Sequence, residues 1–440
     1  MTINTKYPRI LIVMMTKIKD DDPVNLLIRT QFSEWPKDHL AQIHATGDPP
    51  GSGEFCGRCY RLQTCDRFLG GLFQRLRGGV FNMVSPDTVT KQVEVGPVGL
   101  ISGWAKIIKK CLGDTLVSSG LWEVIFCIRL SKQMETFVRD FNPDMIYCQG
   151  YSLGFATLPR LISKRFNIPI CFQTTDDWPS YTYKGYLMGW LLRRSARKLV
   201  AKAIVRLAFG QKMQKKFIAR YGVQFEATYH LDDPRRFIGF QDFAISTTPF
   251  RAVYTGSIAL RRYEAIIDLV AAIRKLPASV GPIQVEVYCP GIPKDMPSEL
   301  LIAPEVSFLP LPTHDELPSV LASASVLLLP ESFNVAPEFI EYAISTKAHL
   351  YMMSGRPILV YGPEYSGTVG YAMDGGWAAV VAERDEESLK EVFCELLNNK
   401  AFNDRLRKNA QICAKRNHDI ILGRTQFREL ITRAVVQVTG

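Results

Sequence analysis

No apolar run in this 440-residue sequence reaches the length of about eighteen that a membrane-crossing helix needs. The apolar stretch Ile10 to Met15 is too short for the core of a secretory signal, and no small-residue cleavage pattern follows it, so a cytoplasmic chain is expected. A disulfide framework is missing as well, because the ten cysteines are scattered over the whole length, as reduced thiols are. Cys56 and Cys59 form a CxxC pair with Cys65 and His44 close by, a conceivable zinc set. No second CxxC follows, and packed free thiols are the default reading, so no metal is expected. Tandem repeats and low-complexity tracts are absent. Acidic residues vanish between Lys184 and Arg220, where eleven basic ones fall. No zinc finger or RNP-type aromatic motif accompanies that charge, which argues against a nucleic-acid module.

What is present is a folded composition, 47% hydrophobic and 22% charged, in a chain long enough for two domains. The most informative stretch is Val326 to Pro363. Two apolar runs, VLLLP and PILVY, flank a helical segment and do not alternate with polar residues, as strands buried on both faces of a parallel sheet do not. Between them the sequence Ser345-Thr346-Lys347 opens a short apolar helix, AHLYMM, that Gly355 and Pro357 end. Hydroxyls, free amides and one ammonium at a helix start can hold an anion such as a diphosphate; the plainer reading is a capped helix with a solvated lysine.

The same alternation of strand and helix runs through the rest. RILIVMM (9–15), MIYCQG (145–150) and IPICFQTTDD (168–177) read as strands, and 116–140 as one long, mostly buried helix. The stretch 16–47 reads as an acidic turn and two amphipathic pieces, and 47–55 as a turn-forming loop. Asp176 and Asp177 follow a strand's carboxyl end, where open α/β sheets place ligands. They could orient an acceptor hydroxyl or act as a base, or simply cap the next turn. In the basic region Arg194, Lys198, Lys202 and Arg206 recur every fourth residue, predicting one cationic helix face with Leu192, Leu199, Ala203 and Leu207 away from it. Such a face suits anionic lipid, a lipid diphosphate or nucleic acid, or is merely solvated. Residues 232–250 lack a period and read as the interdomain linker. Beyond them RAVYTGSI (251–258) ends in Gly256-Ser257, which lets a phosphate approach the backbone, with Arg261 and Arg262 opening the next helix. Strands follow at 284–291, 306–312 and 377–381.

The segments VYTGSIALRRYEAI (253–266), VSFLPLPTHDELPSVLASASVLLLPESF (306–333) and STKAHLYMMSGRPILVYGP (345–363) resemble family 4 glycosyltransferases of the GT-B superfamily. NLLIRTQFSEWPKDHLAQIH (25–44) and QTTDDWP (173–179) look like bacterial polysaccharide-synthesis members of that group. The resemblance implies an α/β, GT-B architecture, with two doubly wound Rossmann-like domains facing each other across a cleft. Residues 1–235 would form the acceptor domain and 236–415 the nucleotide-sugar domain, with the helix in 416–440 packing across the junction. It further implies that Gly256 and Ser257 face the donor diphosphate with Arg261 or Arg262 nearby, that Ser345, Thr346 and Lys347 form the phosphate-binding helix start, and that the Leu311 backbone meets the base. Asp176 and Asp177 fall near the acceptor. One departure stands out: relatives carry a ribose-binding glutamate five residues before the helix-ending glycine, and here that position is Leu350. Glu331, Glu338 and Glu341 lie nearby in sequence, and no spacing promotes any of them.

The expected activity is transfer of a sugar, with retention, from a nucleoside-diphosphate donor to a lipid-linked glycan in polysaccharide synthesis. It needs no cofactor or metal, and is carried out in the cytoplasm or on the inner face of the membrane. Lys347, Asp176 and Asp177 are the expected catalytic residues. The alternatives are a nucleotide-sugar epimerase of the same fold and a binding relative that has lost activity, for which Leu350 speaks.

Overall fold

The computed structural model describes residues 7–18, 25–46, 55–70, 119–183, 185–240, 249–277 and 280–439. Among them, two parallel sheets organise the chain. The first takes β1 (Ile10–Val13), β2 (Leu40–His44), β3 (Arg58–Arg61), β4 (Met145–Cys148), β5 (Ile170–Thr174), β6 (Val205–Phe209) and β7 (Glu226–Thr228), in the order β3-β2-β1-β4-β5-β6-β7. The second takes β8 (Phe250–Thr255), β9 (Ile283–Tyr288), β10 (Val306–Leu309), β11 (Val326–Pro330), β12 (Ile358–Tyr361) and β13 (Ala379–Val381), in the order β10-β9-β8-β11-β12-β13. The unbroken apolar runs are the strands with no exposed face: all of β1, β11 and β12 is buried. The strand order reverses beside β1 in one sheet and beside β8 in the other, the two crevices where doubly wound sheets hold ligands.

The chain divides into two compact units. Met1–Asp22, Trp35–Arg206 and Leu430–Gly440 form one, and Pro23–Glu34 with Leu207–Glu429 the other. In the second unit Tyr254, Ile266, Leu269, Val285, Leu328 and Phe393 belong to one hydrophobic core beneath the Arg262–Arg274 and Glu386–Asn398 helices.

Several local expectations are corrected. The basic helix spans only Tyr186–Lys202; Ala203 turns to extended ψ, and VRLAF is β6. Four of those five residues are buried, so the β-branched and aromatic character of the run outweighs its helical charge spacing. Arg206 is therefore a strand residue, its guanidinium donating to the Val200 carbonyl at 2.7 Å. The single long helix of 116–140 is two, Leu121–Ile125 and Lys132–Phe141. Ser131 caps the second, its hydroxyl accepting from the Met134 amide, and Ile128 bridges to Arg67 between them. Within 16–47, Leu40–His44 is a fully buried strand rather than an amphipathic piece. A further helix, Lys400–Asn417, falls where no element is expected from the sequence. Residues 47–54 of the expected loop, 116–118 of the long helix and 241–248 of the expected linker lie outside the described residues.

Candidate functional site

The second unit gathers its charged groups at the carboxyl ends of β8 and β11, the switch point of its sheet. Gly256 follows β8, and its φ of +133° is open to glycine and costly for other residues. Its amide donates to the Tyr288 carbonyl at 2.7 Å, which fixes the turn. A Cβ at this position would stand 2.2 Å from Lys347 Cε and 2.9 Å from Lys347 Nζ. The lysine stem thus occupies the space that a side chain at 256 would take.

Lys347 is the N-cap residue of the Ala348–Met353 helix. Its Nζ stands 5.6 Å from the centre of the Tyr254 ring. Burial, with the Arg262 cation adding to it, brings its pKa down to about 8 against the opposing pull of Glu331. Tyr254 also holds the loop beyond Gly256, donating from its hydroxyl to the Ser257 carbonyl at 2.6 Å. The loop then passes through Leu260 and Arg261 at φ +56° and +58°, two consecutive left-handed residues that are not glycine. Each costs about 1–3 kcal/mol, a strain that concentrates where a side chain must be aimed.

What that loop aims is Arg262, the first residue of its helix. Its Nε lies 3.1 Å from Glu331 Oε2. Glu331 is the residue after β11, 5% exposed, with its amide donating to the Tyr361 carbonyl at 2.8 Å. Its other oxygen accepts from the Thr368 hydroxyl at 3.2 Å, and Thr368 Oγ1 accepts the Ser345 amide at 3.0 Å. One carboxylate thereby ties the arginine of one loop to the serine of another. Gly362 leaves room for it, since a Cβ there would meet Glu331 Cβ at 2.7 Å.

Of the residues expected at a donor diphosphate, Gly256, Ser257, Arg262, Ser345 and Lys347 therefore belong to one neighbourhood. Arg261 turns elsewhere: its side chain is 54% exposed and paired with Glu264 at 2.5 Å. The Ser345 amide is spent on Thr368, while Thr346 is exposed. Leu311 follows β10 and is exposed. Leu350 sits half-buried on the Ala348–Met353 helix, and carries no acceptor. Glu331 is the participant that motif spacing missed. Its one sequence signal is its place immediately after a fully apolar strand, on the edge where ligands collect.

Asp176 and Asp177 lie in the other unit, after β5. Asp176 Oδ1 accepts the Trp178 amide at 3.0 Å, the Asx-type cap, and burial raises its carboxyl above the usual range despite the Tyr181 and Tyr151 hydroxyls. Asp177 is 5% exposed and accepts from the Ser180 hydroxyl at 2.9 Å. Both carboxylates thus have local partners. Among the described residues no group of three or more His, Cys, Asp or Glu is placed to hold a metal. Cys65 Sγ lies 3.2 Å from Gln133 Oε1 and His44 Nδ1 2.8 Å from the Thr46 carbonyl oxygen, partners other than a shared ion.

No family model matches the chain, and no curated protein matches it. Solved structures do. HepE of Anabaena in complex with UDP superposes with a TM-score of 0.60 at 13% identity, over 97% of this chain and 100% of that one. Sucrose-phosphate synthase from Thermosynechococcus elongatus gives 0.57 at 12%, over 98% and 100%. The α,α-trehalose 6-phosphate synthase of Burkholderia multivorans gives 0.57 at 10%, over 99% and 100%. The two parallel sheets are thus those of the GT-B fold, two Rossmann-like domains in one chain.

Proposed function

We propose that the chain is a glycosyltransferase that takes a sugar from a nucleoside-diphosphate donor and passes it to a glycan acceptor. The observation that carries this reading is the seating of Lys347 against Gly256, with Arg262 held beside them by Glu331 at a switch point of the second sheet. Two cations and a side-chain-free backbone turn suit a pyrophosphate, and the same cations would stabilise charge growing on the leaving diphosphate. The solved structures of similar fold that contain UDP or UDP-glucose support a nucleotide-sugar donor. With the leaving group neutralised by side chains, transfer needs no metal; the reading further takes transfer to retain the anomeric configuration and Asp177 to position the acceptor hydroxyl. The acceptor is a lipid-linked glycan in polysaccharide assembly, and the work is done on the cytoplasmic face of a membrane.

A thermal-shift panel of UDP-, GDP- and ADP-sugars tests the donor, since the true one raises the melting temperature. Lys347→Ala should abolish both that shift and turnover while leaving the fold intact. Near-wild-type transfer by that variant would remove the donor site. Leu350 favours a second reading, a nucleotide-sugar binder without turnover, because it supplies no acceptor for ribose hydroxyls. Tight calorimetric binding with no transfer to any glycan would select it.

A further inference from the structure

The Tyr186–Lys202 helix buries Met188, Leu192, Ala196, Leu199 and Val200. Its other face is exposed from end to end and divided by chemistry. Tyr186, Leu187 and Trp190 stand out at the start, 88%, 59% and 44% exposed. Arg193, Arg194, Arg197, Lys198 and Lys202 follow on the same side. The Arg194 guanidinium lies over the Trp190 ring, 5.4 Å from its centre, where the two parts meet. None of the five cations has an ion-pair partner among the described residues. A second element tied to the start of this helix also exposes apolar side chains. Tyr183 donates to Glu123 Oε1 at 2.6 Å and its ring fills the space beside Gly120, which joins the start of this helix to the Leu121–Ile125 helix. There Leu121, Val124 and Ile125 are also exposed.

A spanning role is ruled out for this helix, since none of the described helices is long and apolar enough to cross a membrane. Single-stranded nucleic acid would use the cations and could stack on Tyr186 and Trp190, but Leu187 and the aliphatic tips of the neighbouring helix offer a base no stacking face. Aromatic and aliphatic tips at one end, with an unpaired cationic stripe beyond them, match the interfacial zone of a bilayer. We propose that this face docks the chain on a bilayer containing anionic lipid. Tyr186, Leu187 and Trp190 sit at the boundary of headgroups and acyl chains, and the five cations lie against headgroup phosphates. The proposal does not depend on the donor site, and its test reads no transfer.

The full chain is sedimented with vesicles of phosphatidylcholine alone and of phosphatidylcholine mixed with phosphatidylglycerol. Binding is expected only to the second and should weaken with salt. Arg193→Gln with Arg197→Gln should weaken it about thirtyfold, at about 1 kcal/mol per cation. Leu187→Ser with Trp190→Ser should abolish the part that survives high salt. Both variants change exposed side chains, and an unchanged melting temperature confirms their fold. Four results would overturn the proposal: equal binding to neutral vesicles, no loss in either variant, association with duplex DNA but not vesicles, or a lipid-free dimer abolished by Leu187→Ser.

Discussion

Lys347 and Gly256 share one volume: the lysine's Cε occupies a point 2.2 Å from where a Cβ on the glycine would stand. Gly256→Ala must therefore displace the ammonium or the turn, and it also strains a backbone at φ +133°. A displacement of about an ångström at such a site costs about 100-fold in rate. The expected result is a loss of that order in turnover, with the donor-induced rise in melting temperature gone. Steady-state kinetics beside a thermal melt checks both.

The lowered lysine pKa sets a pH dependence. In the folded protein Lys347 loses its proton near pH 8, where an unfolded lysine keeps it to about 10.4. A diphosphate binds the ammonium, so affinity should fall as pH rises through about 8, by up to tenfold per pH unit. Between pH 8 and that unfolded value the unfolded chain holds more protons, so stability rises with pH across the same window. Calorimetry in buffers of differing ionisation enthalpy should show proton uptake on donor binding above pH 8. Lys347→Arg, which keeps its charge, should flatten the profile.

Glu331 supports the two cations together. Removing it as Glu331→Ala leaves Arg262 enclosed without its carboxylate, a loss expected to cost about 3–5 kcal/mol. Because Glu331 pulls the Lys347 pKa upward, the same variant should move the affinity profile to lower pH. Denaturant unfolding measures the first effect and a pH titration of donor binding the second. A variant of normal stability and unshifted profile would assign Glu331 no part in the site.

Two buried imidazoles and a half-buried third predict acid sensitivity. His349 stacks between His230 and His418, with ring centres 5.8 and 5.6 Å apart. Burial lowers His230 and His418 to about 4 and His349 well below its ordinary value, with the neighbouring imidazoles and Arg236 adding to the effect on His349. Asp232, 3.9 Å from His349 Nε2, is already engaged by Arg236 at 2.9 Å. Between about pH 6.5 and 4 the unfolded imidazoles hold protons that the folded ones refuse, so stability falls as pH falls. The slope is up to about 1.4 kcal/mol per pH unit for each histidine. Urea unfolding from pH 7 to pH 5 should show it, and His349→Leu should reduce the slope.

In the second sheet β8, β11 and β12 were legible as mostly apolar runs that stop at a glycine or a polar residue, whereas β9 alternates buried and half-buried positions. The first sheet hid β2 and β6 inside stretches that also satisfy a helical period: LAQIH follows an amphipathic piece, and VRLAF follows a basic helix. Burial of these strands between neighbours decided each case, and no window of sequence contains those neighbours. At the candidate site, Lys347 and Gly256 could be singled out from sequence because a helix start and a glycine just past a strand are local features. Arg262 could not be separated from Arg261, since only the left-handed turn before the helix sends one inward and the other toward Glu264. Glu331 was unreadable for a related reason: its role comes from partners 69 residues before it and 37 after it.

The turn through Leu260 and Arg261 also sets the terms for engineering this chain. Glycine at 260 would relax the backbone and should raise the melting temperature, an improvement any stability screen would reward. The same relaxation would free the guanidinium that the turn now directs. A library selected for heat resistance alone should enrich glycine at 260 while losing donor affinity, and one selected for both should leave Leu260 as it is.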